Sequence, residues 1–224
     1  MAFLRVQDAN TSGTNTTQNL TVSSTILNNI VIGGLNTDDI SQTLTSITDD
    51  KGNTYVVDTA TTHNSRFLYM FYGVQVTGGV TTITANKSGS VFSRMTIIEF
   101  SGNGTTNAST FDTEKTGTGA GTDLSVSTLT PAASGELIVS FGLLNNFLTW
   151  TAGAGYTLEN QANPEQLKGQ YKLSGTTSET APMKVVSDSF GWGEHAKAFK
   201  GKAVLVKVSS TLSVKATSLL TVQY

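Results

Sequence analysis

One β-unit is written twice in this chain. The first copy runs from the apolar strand Asn29 to Gly34, through the turn Asp49 to Asn53, to the closing strand Met95 to Phe100. The second runs from Gly135 to Ser140, through the Gly-rich turn Ala152 to Tyr156, to Ala203 to Val208. The order is the same in both: apolar strand, turn leading to a Tyr, central strands, closing strand. Each apolar run is short, rich in β-branched or aromatic residues and bounded by turn formers, which is the pattern of buried strands rather than helices. The expected fold is therefore all-β, a jelly-roll-like β-sandwich built from two approximate copies of one β-unit, with two sheets face to face. Two tandem small sandwiches, parting between residues 101 and 121, are the alternative.

Along the first copy, Ile30 to Ile32 reads as a core strand and Thr43 to Ile47 as a strand entering the Asp49 turn. Thr54 to Val57 is its return, and Arg66 to Phe71 is the densest aromatic run and a central strand. Thr77-Gly78-Gly79 turns the chain into Val80 to Ala85. In the second copy Gln170 to Leu173 takes the place of the aromatic strand and Met183 to Ser187 that of Val80 to Ala85, while Ser189 to Ala198 reads as an expanded loop. The expected core is Ile30 to Ile32, Phe67 to Phe71, Ile97 to Phe100, Leu137 to Val139 and Val204 to Val208. Outside the repeat, residues 1–24 read as a polar arm tipped by Phe3, Leu4 and Val6, residues 25–209 as the duplicated domain and residues 210–224 as a C-terminal strand segment. Residues 101–121, low in complexity, read as a linker pinned by Phe111.

Only 13% of the residues are charged, the net charge is −2, and Lys and Arg are scattered, so the basic footprint of a nucleic-acid binder is missing. No Cys is present, which removes disulfides, zinc ribbons and thiol nucleophiles together. The N-terminus lacks the pattern of a secretory signal and no stretch has transmembrane length, so synthesis in the cytoplasm without membrane insertion is expected. Sequons at Asn10, Asn15, Asn19, Asn86, Asn103 and Asn107 are what a chain this rich in Asn, Thr and Ser produces by chance.

The phrase Ser46 to Tyr55, followed by Val80 to Thr84 and later by Thr151 to Leu158, resembles β-sandwich domains of bacteriophage virion proteins and of some bacterial surface proteins. The likeness spans roughly Thr25 to Ser209 and lies in turn signatures, so it implies a structural or adhesive role and carries over no catalytic residue.

Convergent chemistry is not apparent in the sequence. His63 and His195 are the only histidines, they fall in regions read as loops of different copies, and no Gly-X-Ser-X-Gly elbow accompanies them. Without Cys neighbours, and with Glu194 the one acid beside His195, they make a poor transition-metal site. Asp49 to Asn53 superficially matches a calcium loop, but Lys51 occupies a ligand position and a hairpin turn fits better; Asp38-Asp39 reads as a solvated loop. Glu99, Glu136, Glu159 and Glu194 offer no preferred pair for glycoside hydrolysis. Trp150 and Trp192, in Gly-bearing polar contexts, are the candidate ligand- or receptor-binding residues, with capping of the core as the competing role.

These features point to a non-enzymatic virion structural protein of a tailed phage or similar virus: a capsid decoration, head fibre or tail-associated protein. The alternative is a carbohydrate- or receptor-binding adhesion module facing a cell-surface glycan. Neither cofactor nor metal is expected. The partners would be other virion proteins and further copies of the chain, as a trimer if it forms a spike. Phe3, Leu4, Val6, Leu220, Val222 and Tyr224 would make the subunit contacts.

Overall fold

Each copy forms its own antiparallel sheet, and each opens with a long polar strand. The computed structural model describes residues 3–74, 76–102, 107–160, 165–174 and 178–201. The first copy comprises β1 (Leu4–Thr21), β2 (Ile30–Thr37), β3 (Leu44–Asp49), β4 (Val56–Val57), β5 (Thr61–His63), β6 (Arg66–Val74) and β7 (Thr82–Ser101). A helical turn, α1 (Asn107–Thr110), leads into the second copy. That copy comprises β8 (Phe111–Leu124), β9 (Leu137–Leu148), β10 (Trp150–Ala152), β11 (Thr157–Leu158), β12 (Glu165–Leu173) and β13 (Met183–Phe199). Among the described residues no helix is long and apolar enough to cross a membrane.

The two sheets share one topology. Strand order is β1-β7-β2-β6-β4 in the first, with β3 also on β7 and β5 on β6; it is β10-β13-β9-β12-β11 in the second, with β8 also on β13. Matching strand to strand gives β1 with β8, β2 with β9, β3 with β10, β4 with β11, β6 with β12 and β7 with β13, leaving β5 as an addition to the first copy. Register supports the match residue by residue: Ile30 pairs with Phe100 and Val74 in one sheet, Leu137 with Phe199 and Leu173 in the other.

This match corrects the sequence reading in four places. Residues 4–21 are not a free arm but the strand β1, hydrogen-bonded to β7 over nearly its whole length. Residues 111–121 are not a linker but most of its counterpart β8. β1 is rich in Thr and Asn and β8 in Thr and Gly, and both are paired on a long neighbour, where backbone hydrogen bonds substitute for an apolar pattern. Residues 189–198 are not a loop, because they continue β13 against β8 and β9. The closing strand of the second copy is accordingly Trp192 to Phe199, and Val204 to Val208, like Leu220, Val222 and Tyr224, lies outside the described residues.

Strict period-2 alternation explains why the central strands look continuously apolar. Ile30, Ile32, Leu68, Met70, Tyr72, Ile98 and Phe100 join Leu137, Val139, Phe141, Leu143, Leu167 and Phe199 in one core that forms the seam between the sheets. The intervening residues Val31, Leu35, Tyr69, Phe71, Met95 and Ile97 turn the other way, onto Leu20, Ile47, Ile83 and Ala85 of the same copy. The first sheet thus curls over its own back while its front meets the second sheet. Pairing of β1 with β7 shifts between Asn15 and Thr17, and such a shift is where a long strand bends. Gly34 sits where the Phe141 ring crosses, and a Cβ there would lie 2.7 Å from the ring.

Candidate functional sites: a charged seam and an open strand edge

The seam has a pseudo-twofold character that follows from the duplication. Tyr72 of the first copy meets Phe199 of the second edge-on, with centroids 5.3 Å apart. The matching residues exchanged between copies, Tyr171 and Phe100, meet in the same manner at 5.1 Å. The same exchange relates two acids that follow equivalent short strands. Asp58 follows β4 and donates its N–H to the Met70 carbonyl; Glu159 follows β11 and donates its N–H to the Gly169 carbonyl. Each then reaches across the seam to the closing strand of the other copy.

Asp58 reaches a charged cluster. His195 and Lys197 share a face of β13 because they are two residues apart, and Glu114 on β8 stands directly opposite Lys197 in the ladder. Lys197 Nζ donates to Asp58 Oδ1 at 2.7 Å and lies 2.9 Å from Glu114 Oε2. It is buried between the Tyr72 and Phe111 rings, 4.7 and 4.6 Å from their centroids. His195 Nε2 stands 3.7 Å from Glu114 Oε2 and 3.9 Å from Asp58 Oδ2, beyond hydrogen-bond length. Among the described residues, Asp58 Oδ2 and both ring nitrogens of His195 are buried without a hydrogen-bond partner. Burial raises the Asp58 carboxyl above its ordinary range, against the pull of Lys197 and His195. Glu114, facing His195 and Lys197 from a half-exposed position, is instead held down at about 2.

Glu159 closes on different groups. Thr96, which occupies on β7 the place of His195 on β13, donates its hydroxyl to Glu159 Oε2 at 2.6 Å, and the Gly169 N–H donates to Oε1 at 2.6 Å. Asp8 on β1 matches Glu114 on β8, and it accepts the Asn160 N–H beside Glu159. Complete burial pushes the Glu159 carboxyl up to about 7, which the Thr96 and Gly169 hydrogen bonds and the Lys168 charge only partly offset.

The remaining candidates belong to neither of these two acid sites. Trp150 and Trp192 are both buried with Leu124, Leu144, Met183 and Val185. Each indole lies over a glycine: a Cβ at Gly142 would fall 2.7 Å from Trp150, and one at Gly119 would fall 2.5 Å from Trp192. Neither therefore presents the open stacking face anticipated for a glycan or receptor. Glu99 accepts hydrogen bonds from Gln7, Ile26 N and Asn29, tying β1 to the segment before β2. Glu136, buried beside Asp112, is pushed up to about 7 by desolvation and by that neighbouring acid. Glu194, fully buried, rises well above the carboxylate range. At the Asp49 turn burial works to raise the carboxyl, yet hydrogen bonds from Asn53, Lys51 and Tyr55 outweigh it and hold the group low. Those bonds occupy both its oxygens, as a turn requires and a calcium loop does not. His63 lies on β5 against Gly191 and Gly193, next along β13 from His195, and is not among the residues whose ligand atoms converge with those of Asp58.

The second feature is an edge. Among the described residues β1 pairs on one side only, with β7, and leaves the other side of an 18-residue strand open. It carries Arg5 and Asp8 as its only charges and no Pro, so the usual guards of an exposed edge are sparse. Of the six residues expected to contact other subunits three lie here: Phe3 is buried in the seam core, while Leu4 and Val6 stay exposed on this strand. Leu4 also lines a cavity of about 400 Å³ with Phe100, Leu137 and Tyr171.

No family model, curated protein or solved structure matches the chain. Its chemistry has to be read from the seam and the edge themselves. Sequence reasoning missed the Asp58 cluster because its members come from a short return strand, a supposed linker and a supposed loop. The alternation His195-Ala196-Lys197-Ala198-Phe199, with small residues at every second position, was the available strand signal.

Proposed function

We propose that the protein is a non-enzymatic structural component of a virus particle of the tailed-phage type, assembled with its own copies through β1. The open edge of β1 carries this reading. A soluble protein that works alone seldom leaves so long an edge unguarded, because each free N–H and C=O along it is a template for another strand. The virion setting comes from the resemblance of the turn phrases to phage sandwich domains, and a capsid decoration, head fibre or tail-associated place fits equally. The adhesion alternative loses support from the burial of both indoles, since stacking on a sugar needs an exposed ring.

Two measurements test the proposal. Mass spectrometry of density-purified particles should find the protein at structural stoichiometry, and its absence there would refute the virion setting. Sedimentation velocity of the full chain should show an oligomer that Ser12→Lys, Thr14→Lys and Thr16→Lys together convert to monomer. All three side chains point to solvent, so the fold tolerates the change. An oligomer unaffected by the three lysines would refute the role of the edge, and glycan-array binding by the unassembled chain would favour adhesion.

A further inference from the structure

We propose that Asp58, Glu114 and His195 form a binding site for a first-row transition-metal dication, of which zinc is the type, bridging the two copies. The donor atoms already lie within 4.8 Å of one another. Bonds of about 2.1 Å in a tetrahedral arrangement would place them ~3.4 Å apart, so the two separations from His195, 3.7 and 3.9 Å, need to close by a few tenths of an ångström, while the two carboxylates, within 4.8 Å of each other, have to approach by up to about 1.4 Å. One imidazole with two carboxylates suits zinc, cobalt or nickel better than calcium or magnesium, which prefer oxygen alone.

The decisive observation is what these groups lack. His195 is almost fully buried, yet among the described residues neither ring nitrogen has a hydrogen-bond partner, and Asp58 Oδ2 is buried in the same condition. Other buried polar atoms, both oxygens of Glu194 among them, also lack a partner among the described residues; what singles this place out is that His195 Nε2 and Asp58 Oδ2 face each other across 3.9 Å. Lys197 does not fill the role of partner at His195 or at Asp58 Oδ2, although its ammonium lies 2.9 Å from Glu114 Oε2, an oxygen that an entering ion has to share with it or take from it. Its ammonium sits on the other Asp58 oxygen, Oδ1, and thereby turns Oδ2 toward His195, as an outer-shell partner orients a ligating carboxylate. The two carboxylates and the ammonium together leave one negative charge to meet the ion. Glu114, with its side chain 45% exposed, provides the way in.

The duplicated site supplies an internal control. Asp8, Glu159 and Thr96 occupy the matching positions without an imidazole, and there Glu159 closes on Thr96 and Gly169 with both oxygens engaged. Of these two matching places, the one with the histidine is the one whose imidazole and acid keep unpartnered atoms among the described residues.

The test uses the untagged full chain, stripped with a chelator and titrated with Zn²⁺ or Co²⁺ alone. Because the sequence contains two histidines, each can be assigned by one substitution. Wild type should bind one equivalent, melt at higher temperature with the metal than without, and give the visible absorption of low-coordinate Co²⁺. Glu114→Gln and His195→Gln should each weaken binding about tenfold or more, while His63→Gln should leave it unchanged. If His195→Gln fails to fold, Glu114→Gln, altered at a half-exposed position, still decides. Failure of the wild type to bind, binding undiminished in Glu114→Gln, or binding lost in His63→Gln would each overturn the site. None of these results depends on whether the protein assembles.

Discussion

Glu159 should make the protein more stable in mild acid than at neutral pH. Its carboxyl is completely buried at the seam and titrates near 7 in the fold, against an ordinary value of 4.5 in the unfolded chain. Between those values the folded state holds a proton that the unfolded state has released. Its contribution is therefore full below about pH 4.5 and is lost as pH rises to 7. A separation of about 2.5 pH units corresponds to about 3 kcal/mol at 1.36 kcal/mol per unit. Glu159→Gln removes the titration and keeps the shape. The amide oxygen can accept from Gly169 N–H, and the amide NH₂ can donate to the Thr96 hydroxyl, which in turn donates to the Ala9 carbonyl 3.3 Å away. Urea unfolding from pH 5 to pH 8 is the assay. Glu136 and Glu194 are raised too, so the wild-type curve will fall by more than one residue's share; the difference between the two proteins isolates Glu159. The variant should lose about 3 kcal/mol less than wild type across that range and be the more stable protein at pH 8. Parallel pH curves for the two proteins would show that the carboxylate is ionised in place and that burial does not dominate.

Lys197→Met should cost about 3–5 kcal/mol, because Asp58 is left buried without its counter-charge, and adding Asp58→Leu should recover much of the loss; denaturant melts of the single and double variants check this, and a loss under 1 kcal/mol would contradict it. Gly142→Ala should destabilise by about 1–3 kcal/mol through collision with the Trp150 ring, whereas Gly13→Ala, with its nearest neighbour atom at 3.4 Å, should stay within about 0.5 kcal/mol of wild type in the same thermal melts.

The parts of the fold legible in the sequence were those where burial leaves a compositional trace. Val31 and Ile32 are both buried because β2 has a core on each side, so the run reads as apolar throughout and cannot be mistaken for a surface segment. β1 and β8 left no such trace. Their side chains are largely half-buried or exposed, and what holds them is a ladder of backbone bonds that Thr, Gly and Asn make as well as Val does. The reading of residues 189–198 as a loop had a definite physical source. Gly191 and Gly193 look like turn formers, but Gly191 is required because a Cβ there would lie 2.0 Å from His63 Nε2. The charged cluster was illegible for a further reason: Glu114 and His195 meet through the β8–β13 ladder of the second copy and Asp58 joins them from the first copy across the seam, and no spacing within one segment records that.

The same duplication constrains how chains would assemble. β1 and β8 are matching strands, and among the described residues each pairs on one side only, so a chain has two related edges to offer. If both were equally receptive, edge-to-edge pairing would run on into filaments. They are not equally guarded: β8 carries the exposed charges Lys115 and Asp123, apart from Asp112 and Glu114 that pair with Lys200 and Lys197, while the charges of β1, Arg5 and Asp8, pair with each other. Charges on an edge block strand addition, so β1 is the receptive edge. Pairing of β1 with β1 of a second copy is antiparallel and isologous, which closes the assembly at two, whereas the trimer expected for a spike would need β1 to meet a different surface. Sedimentation equilibrium should therefore give twice the mass of the chain at micromolar concentration. Lys115→Thr with Asp123→Thr, both at exposed positions, should unblock the second edge and drive the protein to larger species. A stable trimer in the wild type, or a double variant that remains at the wild-type mass, would show that edge charge is not what limits assembly.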